Sequence, residues 1–282
     1  MRIDAHQHFW RYSEHEYPWI PVGSALHRDW LPSDLEGIQG PIGLDGSVAV
    51  QARQTLEETR WLLDLSESHP RVLGVVGWVD LRSDKLDVQL DEFVTRSRFV
   101  GVRHVVQEEP DGFLMREGVL AGLRRLADRG INYDVLVYAR QLRDVLGMMD
   151  AVEGLRLVID HGAKPDIRGG GFGEWRRLMG EVAAKPEVFC KLSGFVTEAD
   201  WCHWSLEGIE PYMEAILEMF GPDRVMWGSD WPVCLHAASY ERWFNVAYGF
   251  VERRVPGAVN AVFGGNCAKF YRIDAANFGP FR

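Results

Sequence analysis

Eight short apolar runs alternate with amphipathic stretches along this chain, and that alternation constrains its fold more than any other feature. The runs are Met1 to His8, Gly46 to Gln51, Val72 to Val79, Phe99 to Val106, Ile131 to Tyr138, Leu155 to His161, Val188 to Ser193 and Arg224 to Asp230. They are rich in Val, Ile and Leu, so they read as strands buried on both faces, the pattern of a parallel sheet. The stretches between them read as helices. Thr55-Leu-Glu-Glu58 is a capping box opening a helix toward His69, with Leu56, Leu62, Leu63 and Leu65 on one side. Ser83 opens a helix carrying Leu86, Leu90, Phe93 and Val94, while Leu120, Leu123 and Leu126 mark another that closes near Gly130. Leu142 to Met149, Trp175 to Val182, Pro211 to Phe220 and Tyr240 to Val251 complete the set. Eight strand–helix units in 282 residues predict one domain, residues 1–282, folded as a closed (β/α)8 TIM barrel. An open doubly wound sheet is the rival. It would place a Gly-rich phosphate loop after the first strand, where this chain has His6-Gln7-His8.

One connection is long. Residues 9–47 hold Trp10, Tyr12, Tyr17, Trp19 and Trp30, and a second capping box, Ser33-Asp-Leu-Glu36, predicts a short helix there. The chain has 11 Trp, and the aromatic content of this loop predicts an ordered lid. The net charge of -10 disfavours nucleic acid, because an acidic surface repels phosphate. No apolar stretch approaches the ~18 residues of a membrane span, and the N-terminus lacks a signal-peptide run. The four cysteines, Cys190, Cys202, Cys234 and Cys267, form no C-x-x-C and are expected to be buried small apolar residues in a reducing, cytoplasmic setting. Nothing in the sequence indicates an oligomeric state.

In a barrel the chemistry sits where strands meet their following loops. The polar residues there are His6, His8, Gln51, Asp80, Arg103, His104, Tyr138, His161, Lys191, Ser193 and Asp230. His6 and His8 are two apart on one strand, so both imidazoles face the same side, a geometry suited to a metal ion, an oxyanion or a held water. Asp230, in Gly228-Ser229-Asp230-Trp231-Pro232, is a natural general base for water beside those imidazoles. The plainer readings are satisfied polar residues at a barrel rim and a structural carboxylate before a Pro. Asp4 and Asp160 flank the histidines and are placed to orient them. Arg103 and His104 are adjacent, so only one faces inward; Arg103 is either a clamp on a substrate oxygen or an outward ion-pair partner. Lys191 and Ser193 share parity, so if one lines the mouth the other does too. Trp78, Trp227 and Trp231 lie near strand ends, where a ring stacks on an apolar face or simply packs in the core.

Ile3-Asp4-Ala5-His6-Gln7-His8-Phe9-Trp10, Asp160-His161, Lys191-Leu192-Ser193-Gly194, Gly228-Ser229-Asp230-Trp231-Pro232 and the final Gly264-Gly265-Asn266-Cys267-Ala268-Lys269-Phe270-Tyr271 together resemble the amidohydrolase superfamily, specifically its amidohydrolase-2 branch of sugar lactonases. The resemblance implies a distorted barrel and hydrolysis of a sugar-acid lactone, an aldonolactone such as L-fucono- or L-galactono-lactone. It assigns His6, His8, His161 and Asp230 as the catalytic set. The same four would be the ligands of one Zn²⁺, if a metal is used; a metal-free site is the alternative. The wider superfamily adds a fifth-strand histidine and a fourth-strand carboxylated lysine to hold two metals. Here Asn132-Tyr133-Asp134-Val135-Leu136 has no histidine and the fourth strand offers Arg103-His104, so a binuclear site is not expected. Gln51, Arg103, His104, Trp30, Lys191, Ser193 and Trp231 are the candidate substrate contacts. The rival activities are a metal-dependent decarboxylase or hydratase of a small carboxylated ring compound, and a non-catalytic binding barrel. With only Arg103 and Lys191 as strand-end cations, a neutral lactone is favoured over a carboxylated substrate.

Overall fold

The computed structural model describes residues 1–274; the last eight residues of the expected domain lie outside that range. Eight parallel strands follow chain order in one sheet: β1 Ile3–Gln7, β2 Gly46–Val50, β3 Val72–Gly77, β4 Phe99–Val105, β5 Asn132–Leu136, β6 Leu157–Ile159, β7 Phe189–Leu192 and β8 Val225–Trp227. The helices are α1 Pro32–Gln39, α2 Leu56–Ser68, α3 Leu86–Val94, α4 Glu117–Asp128, α5 Leu142–Ala151, α6 Phe172–Ala183, α7 Phe195–Glu198, α8 Leu206–Phe220, α9 Tyr240–Arg254 and α10 Asn266–Tyr271. This is the expected (β/α)8 architecture, and the doubly wound rival falls away.

The seam between β8 and β1 is where the barrel is distorted. The regular ladder stops, and two hydrogen bonds beyond β8 close the ring: Asp230 N donates to His6 O at 2.8 Å and His8 N to Trp231 O at 2.7 Å. Asp4 braces this seam. Its Oδ1 accepts from His6 N at 3.1 Å and Ser229 N at 2.9 Å. Its Oδ2 accepts from Ser229 Oγ at 2.6 Å and Tyr240 Oη at 2.8 Å. Burial nevertheless pushes the Asp4 carboxyl up to about 6, against those four bonds.

Every strand is shorter than its apolar run. His161, Ser193 and Asp230 all fall just past the regular ladder, where the chain turns. His161 and Asp230 adopt left-handed backbone, with φ of 52° and 58°. Such positions are uncommon for residues other than glycine, and they persist only where surrounding contacts hold them.

The helices follow their patterns with local shifts. Thr55 caps α2 by accepting from Glu58 N. The Glu58 carboxylate turns elsewhere, accepting from Ala52 N at 2.9 Å, Arg53 N at 2.6 Å and Tyr17 Oη at 3.1 Å. α1 starts at Pro32 rather than at a Ser33 cap; Leu31 precedes it, and Asp34 reaches back to accept from Leu31 N at 2.9 Å. Proline suits the first helical position because the N–H it lacks would be unpaired there. α8 begins at Leu206, five residues before the expected Pro211, which sits inside it.

The long first connection is ordered. Trp10 and Trp30 pair backbone to backbone at 3.0 and 2.9 Å, and Tyr17, Ile20 and Leu26 are buried beneath. Cys190, Cys234 and Cys267 are buried as expected, whereas Cys202 is exposed. No helix among the described residues is long and apolar enough to cross a membrane.

Candidate active site

A cavity of about 800 Å³ opens at the C-terminal ends of the strands. Its inner wall is His8, Arg103, His161 and Asp230; Trp19, Arg53, Gln54 and Lys164 stand among its outer lining. His6 sits directly behind, fully buried.

The strand parity of β1 brings the two imidazoles together, with His6 Nε2 3.2 Å from His8 Nε2. Asp230 Oδ1 faces three rings, at 3.4 Å from His8 Nε2 and 3.9 Å from both His6 Nε2 and His161 Nε2. His8 Nδ1 donates to Val50 O at 2.8 Å, which leaves its Nε2 as a lone-pair donor atom. His161 Nδ1 lies 2.8 Å from the Ser193 hydroxyl, so Nε2 is the atom it presents to Asp230.

Burial drives the electrostatics. It pushes His6 and His161 well below the usual histidine range, with the Lys191 charge adding to the effect on His6, and lowers His8 as well. All three are neutral imidazoles at pH 7. Burial alone would raise the Asp230 carboxyl, but His161 and His8 outweigh it and hold the group below its ordinary value. The site therefore pairs an ionised carboxylate with neutral nitrogen donors.

That donor set fits one divalent ion. His6, His161 and Asp230 offer ligand atoms that all lie within 4.8 Å of one another, and His8 Nε2 adjoins them. Ligands bonded tetrahedrally to one Zn²⁺ at ~2.0–2.2 Å stand roughly 3.3–3.6 Å apart, close to the shorter spacings here. On β5, Asp134 faces Lys191 rather than this cluster, so the strand brings no further ligand to it.

The expected substrate contacts divide sharply. Arg103 faces inward and lines the cavity; its Nη1 donates to Asp160 Oδ2 at 3.2 Å and its Nη2 to Gln51 O. Gln51 is buried and fixes Arg103 rather than lining the cavity, its Nε2 donating back to Arg103 O at 3.3 Å. His104 points out of the barrel. It accepts from Trp78 Nε1 at 3.2 Å, donates to Glu109 Oε1 at 2.9 Å and stacks on Phe113. Ser193 backs His161. Lys191 is completely buried in the barrel between Asp134 and Asp160. It shares parity with Ser193 but lies two residues earlier, about 6–7 Å deeper along the strand.

Trp30 and Trp231 are core rings, packed edge to face with centroids 5.0 Å apart. The Trp that does reach the cavity is Trp19, which is 41 % exposed.

Sequence reasoning missed Lys164. It lines the cavity, pairs with Glu198 at 3.4 Å and ends a left-handed turn that runs through His161, Gly162 and Ala163. Its position three residues after the β6 histidine was the available signal. It also missed Asp134 as the partner of Lys191.

The amidohydrolase family model matches residues 3–273. The chain belongs to the amidohydrolase family. An L-fucono-1,5-lactonase of Burkholderia multivorans is 41% identical over 97% of this chain and 96% of its own length. Another, from Burkholderia ambifaria, is 39% identical with the same coverage. A crystal structure of a Burkholderia multivorans amidohydrolase with bound Zn superposes with a TM-score of 0.94 at 40% identity, covering 97% of this chain and all of that one. A dihydroxybenzoic acid decarboxylase from Polaromonas, at 11% identity and a TM-score of 0.68, shares the fold alone.

Proposed function

We propose that this protein is a hydrolase that opens a sugar-acid lactone to the free acid, with L-fucono-1,5-lactone as its first candidate substrate and L-fucose catabolism as its setting. The observation that carries the reading is the ionised Asp230 carboxylate held within 3.9 Å of three neutral imidazoles at the inner wall of the cavity. The sequence identity to two L-fucono-1,5-lactonases supports the substrate class.

Asp230 accepts a proton as water attacks the lactone carbonyl carbon. A lactone is an activated ester, so a carboxylate suffices. The oxyanion that forms takes hydrogen bonds from Arg103 and His161, both fixed from behind, by Asp160 and Ser193 respectively. Asp230 then returns the proton to the departing ring oxygen, so the C–O bond breaks and the hydroxy acid is released. Trp19 and Gln54 are placed to meet the ring face and hydroxyls. His6, His8, His161 and Asp230 would hold a Zn²⁺, which when bound would supply Lewis acidity at the carbonyl.

The cavity's charges favour a neutral substrate over a carboxylated one. Among the described residues that line it, each Arg or Lys already has a carboxylate partner: Arg53 with Glu16, Arg103 with Asp160 and Lys164 with Glu198. A decarboxylase substrate would have to displace one of these pairs.

The test is acid release from a panel of L-fucono-, L-galactono- and L-rhamnono-lactones in both ring sizes, with and without a chelator. Hydrolysis of none of them would sink the reading. Full activity in metal-stripped protein would assign the chemistry to the side chains alone.

A further inference from the structure

The loop between β2 and α2 carries one amide whose orientation the fold dictates. Gln54 sits in that loop, half-buried, with its side chain lining the cavity. The loop has little freedom. Glu58 Oε2 accepts from Ala52 N at 2.9 Å and from Arg53 N at 2.6 Å, and Thr55 Oγ1 accepts from Glu58 N at 3.1 Å. Gln54 lies between those two fastenings. Its side chain is held at a third: Val105 N, at the end of β4, donates to Gln54 Oε1 at 2.8 Å.

A backbone N–H can only donate, so the amide atom facing Val105 N is the oxygen. That settles which way the amide is turned. Nε2 is the end left to the cavity, and among the described residues none accepts from it. An amide nitrogen carries two hydrogens and serves only as a donor.

Depth separates this donor from the groups that meet the reacting carbonyl. Arg103 and Val105 are two residues apart on β4, a step of about 6–7 Å along the strand. Arg103 turns inward to Asp160 and Gln51, whereas Gln54 is pinned to the outer of the two positions. A lactone whose carbonyl oxygen lies by Arg103 and His161 presents the opposite side of its six-membered ring toward Gln54. The group there is a hydroxyl at C3 or C4, because C2 adjoins the carbonyl carbon and C5 bears the ring oxygen.

We propose that Gln54 is a specificity-determining residue that donates a hydrogen bond to the C3 or C4 hydroxyl of the lactone ring. The assignment rests on the lactonase reading and sharpens it: the enzyme selects rings hydroxylated on the side away from the carbonyl. The donor is held in place before the substrate arrives, so little ordering entropy is lost when the bond forms. The bond is made in the bound lactone as well as in the transition state, so its loss raises KM and leaves kcat nearly unchanged.

The test is a cycle between Gln54→Ala and single hydroxyl deletions. Acid release gives kcat and KM of wild type and variant on L-fucono-1,5-lactone and its 2-, 3- and 4-deoxy analogues. On the parent lactone the variant is expected to show KM raised about tenfold, with kcat within about threefold of wild type. On the 3-deoxy or the 4-deoxy lactone the wild type is already weakened to a similar degree, and the substitution then changes kcat/KM by less than about threefold. On the 2-deoxy lactone the full effect of the substitution persists. An equal effect on all four lactones, a collapse on the 2-deoxy lactone alone, or no effect on the parent overturns the assignment. Gln54→Met keeps the length of the side chain without its amide and is expected to repeat the pattern, which separates a lost donor from a loop disturbed by the shorter Ala. Absence of hydrolysis by the wild type would fell the lactonase reading itself. Wild-type turnover with any of the three overturning results fells the role of Gln54 alone.

Discussion

Replacing Asp230 with Asn separates the carboxylate's chemistry from its place in the fold. Asp230 has φ of 58°, and Asn is among the few residues that tolerate this left-handed backbone. Its main-chain contacts, Asp230 N to His6 O at 2.8 Å and Cys234 N to Asp230 O at 2.8 Å, are untouched by the change. An amide is nearly isosteric with a carboxylate, so the barrel should keep its stability to within about 1 kcal/mol. What disappears is the base, with its oxygen 3.4 Å from His8 Nε2. A positioned general base contributes about 10²–10⁴ in rate, equivalent to roughly 3–5 kcal/mol at about 1.36 kcal/mol per decade. The expected result is a fall in kcat of two to four orders, read by indicator-detected acid release at saturating lactone, with an unchanged thermal midpoint. The sign of the pH dependence follows from the low carboxyl: the wild-type base form persists as pH falls toward and below the usual carboxylate range. Wild-type activity should therefore hold on the acid side down to about pH 5. A variant within threefold of wild-type kcat, with the fold intact, would refute the assignment of Asp230 as base.

Three further outcomes are expected. Lys191→Met alone leaves Asp134 and Asp160 without their shared buried cation and should cost about 3–5 kcal/mol in urea denaturation. Trp19→Ala, at the cavity, should raise KM severalfold with the thermal midpoint unmoved, whereas Trp10→Ala, fully buried, should cost about 3–5 kcal/mol of stability. Glu58 is buried and its carboxyl is pushed up to about 7. The folded state thus holds that proton over a range where the unfolded chain has lost it. Stability from this group is full below the ordinary glutamate value and drains away as pH rises through about 7, and Glu58→Gln should flatten that slope in denaturation midpoints measured between pH 5 and 8.

The ring of strands was legible because both-face burial writes near-continuous apolar runs, and the alternation with helices leaves few closed topologies. The inward pair His6 and His8 was legible from parity alone, as was the rule that only one of Arg103 and His104 faces in. Parity does not encode depth, and Lys191 shows the consequence: it shares a face with Ser193 yet lies a layer below the mouth, tied to Asp134 on a strand read only for its missing histidine. Lys164 was hidden because a turn of four left-handed residues carries it back over the cavity, and no periodic pattern reports such a turn. Trp30 and Trp231 were indistinguishable from Trp19 by residue type. Only the packing shows that the first two cover each other and the third faces the cavity.

The lactonase reading itself is tested most directly by steady-state hydrolysis of L-fucono-1,5-lactone by the wild-type protein, set against a lactone bearing ring carboxylates. The account predicts saturable acid release with kcat/KM of at least about 10⁴ M⁻¹s⁻¹ and far slower turnover of the carboxylated ring. Acid release no faster than spontaneous opening, or a preference for the carboxylated substrate, would contradict it.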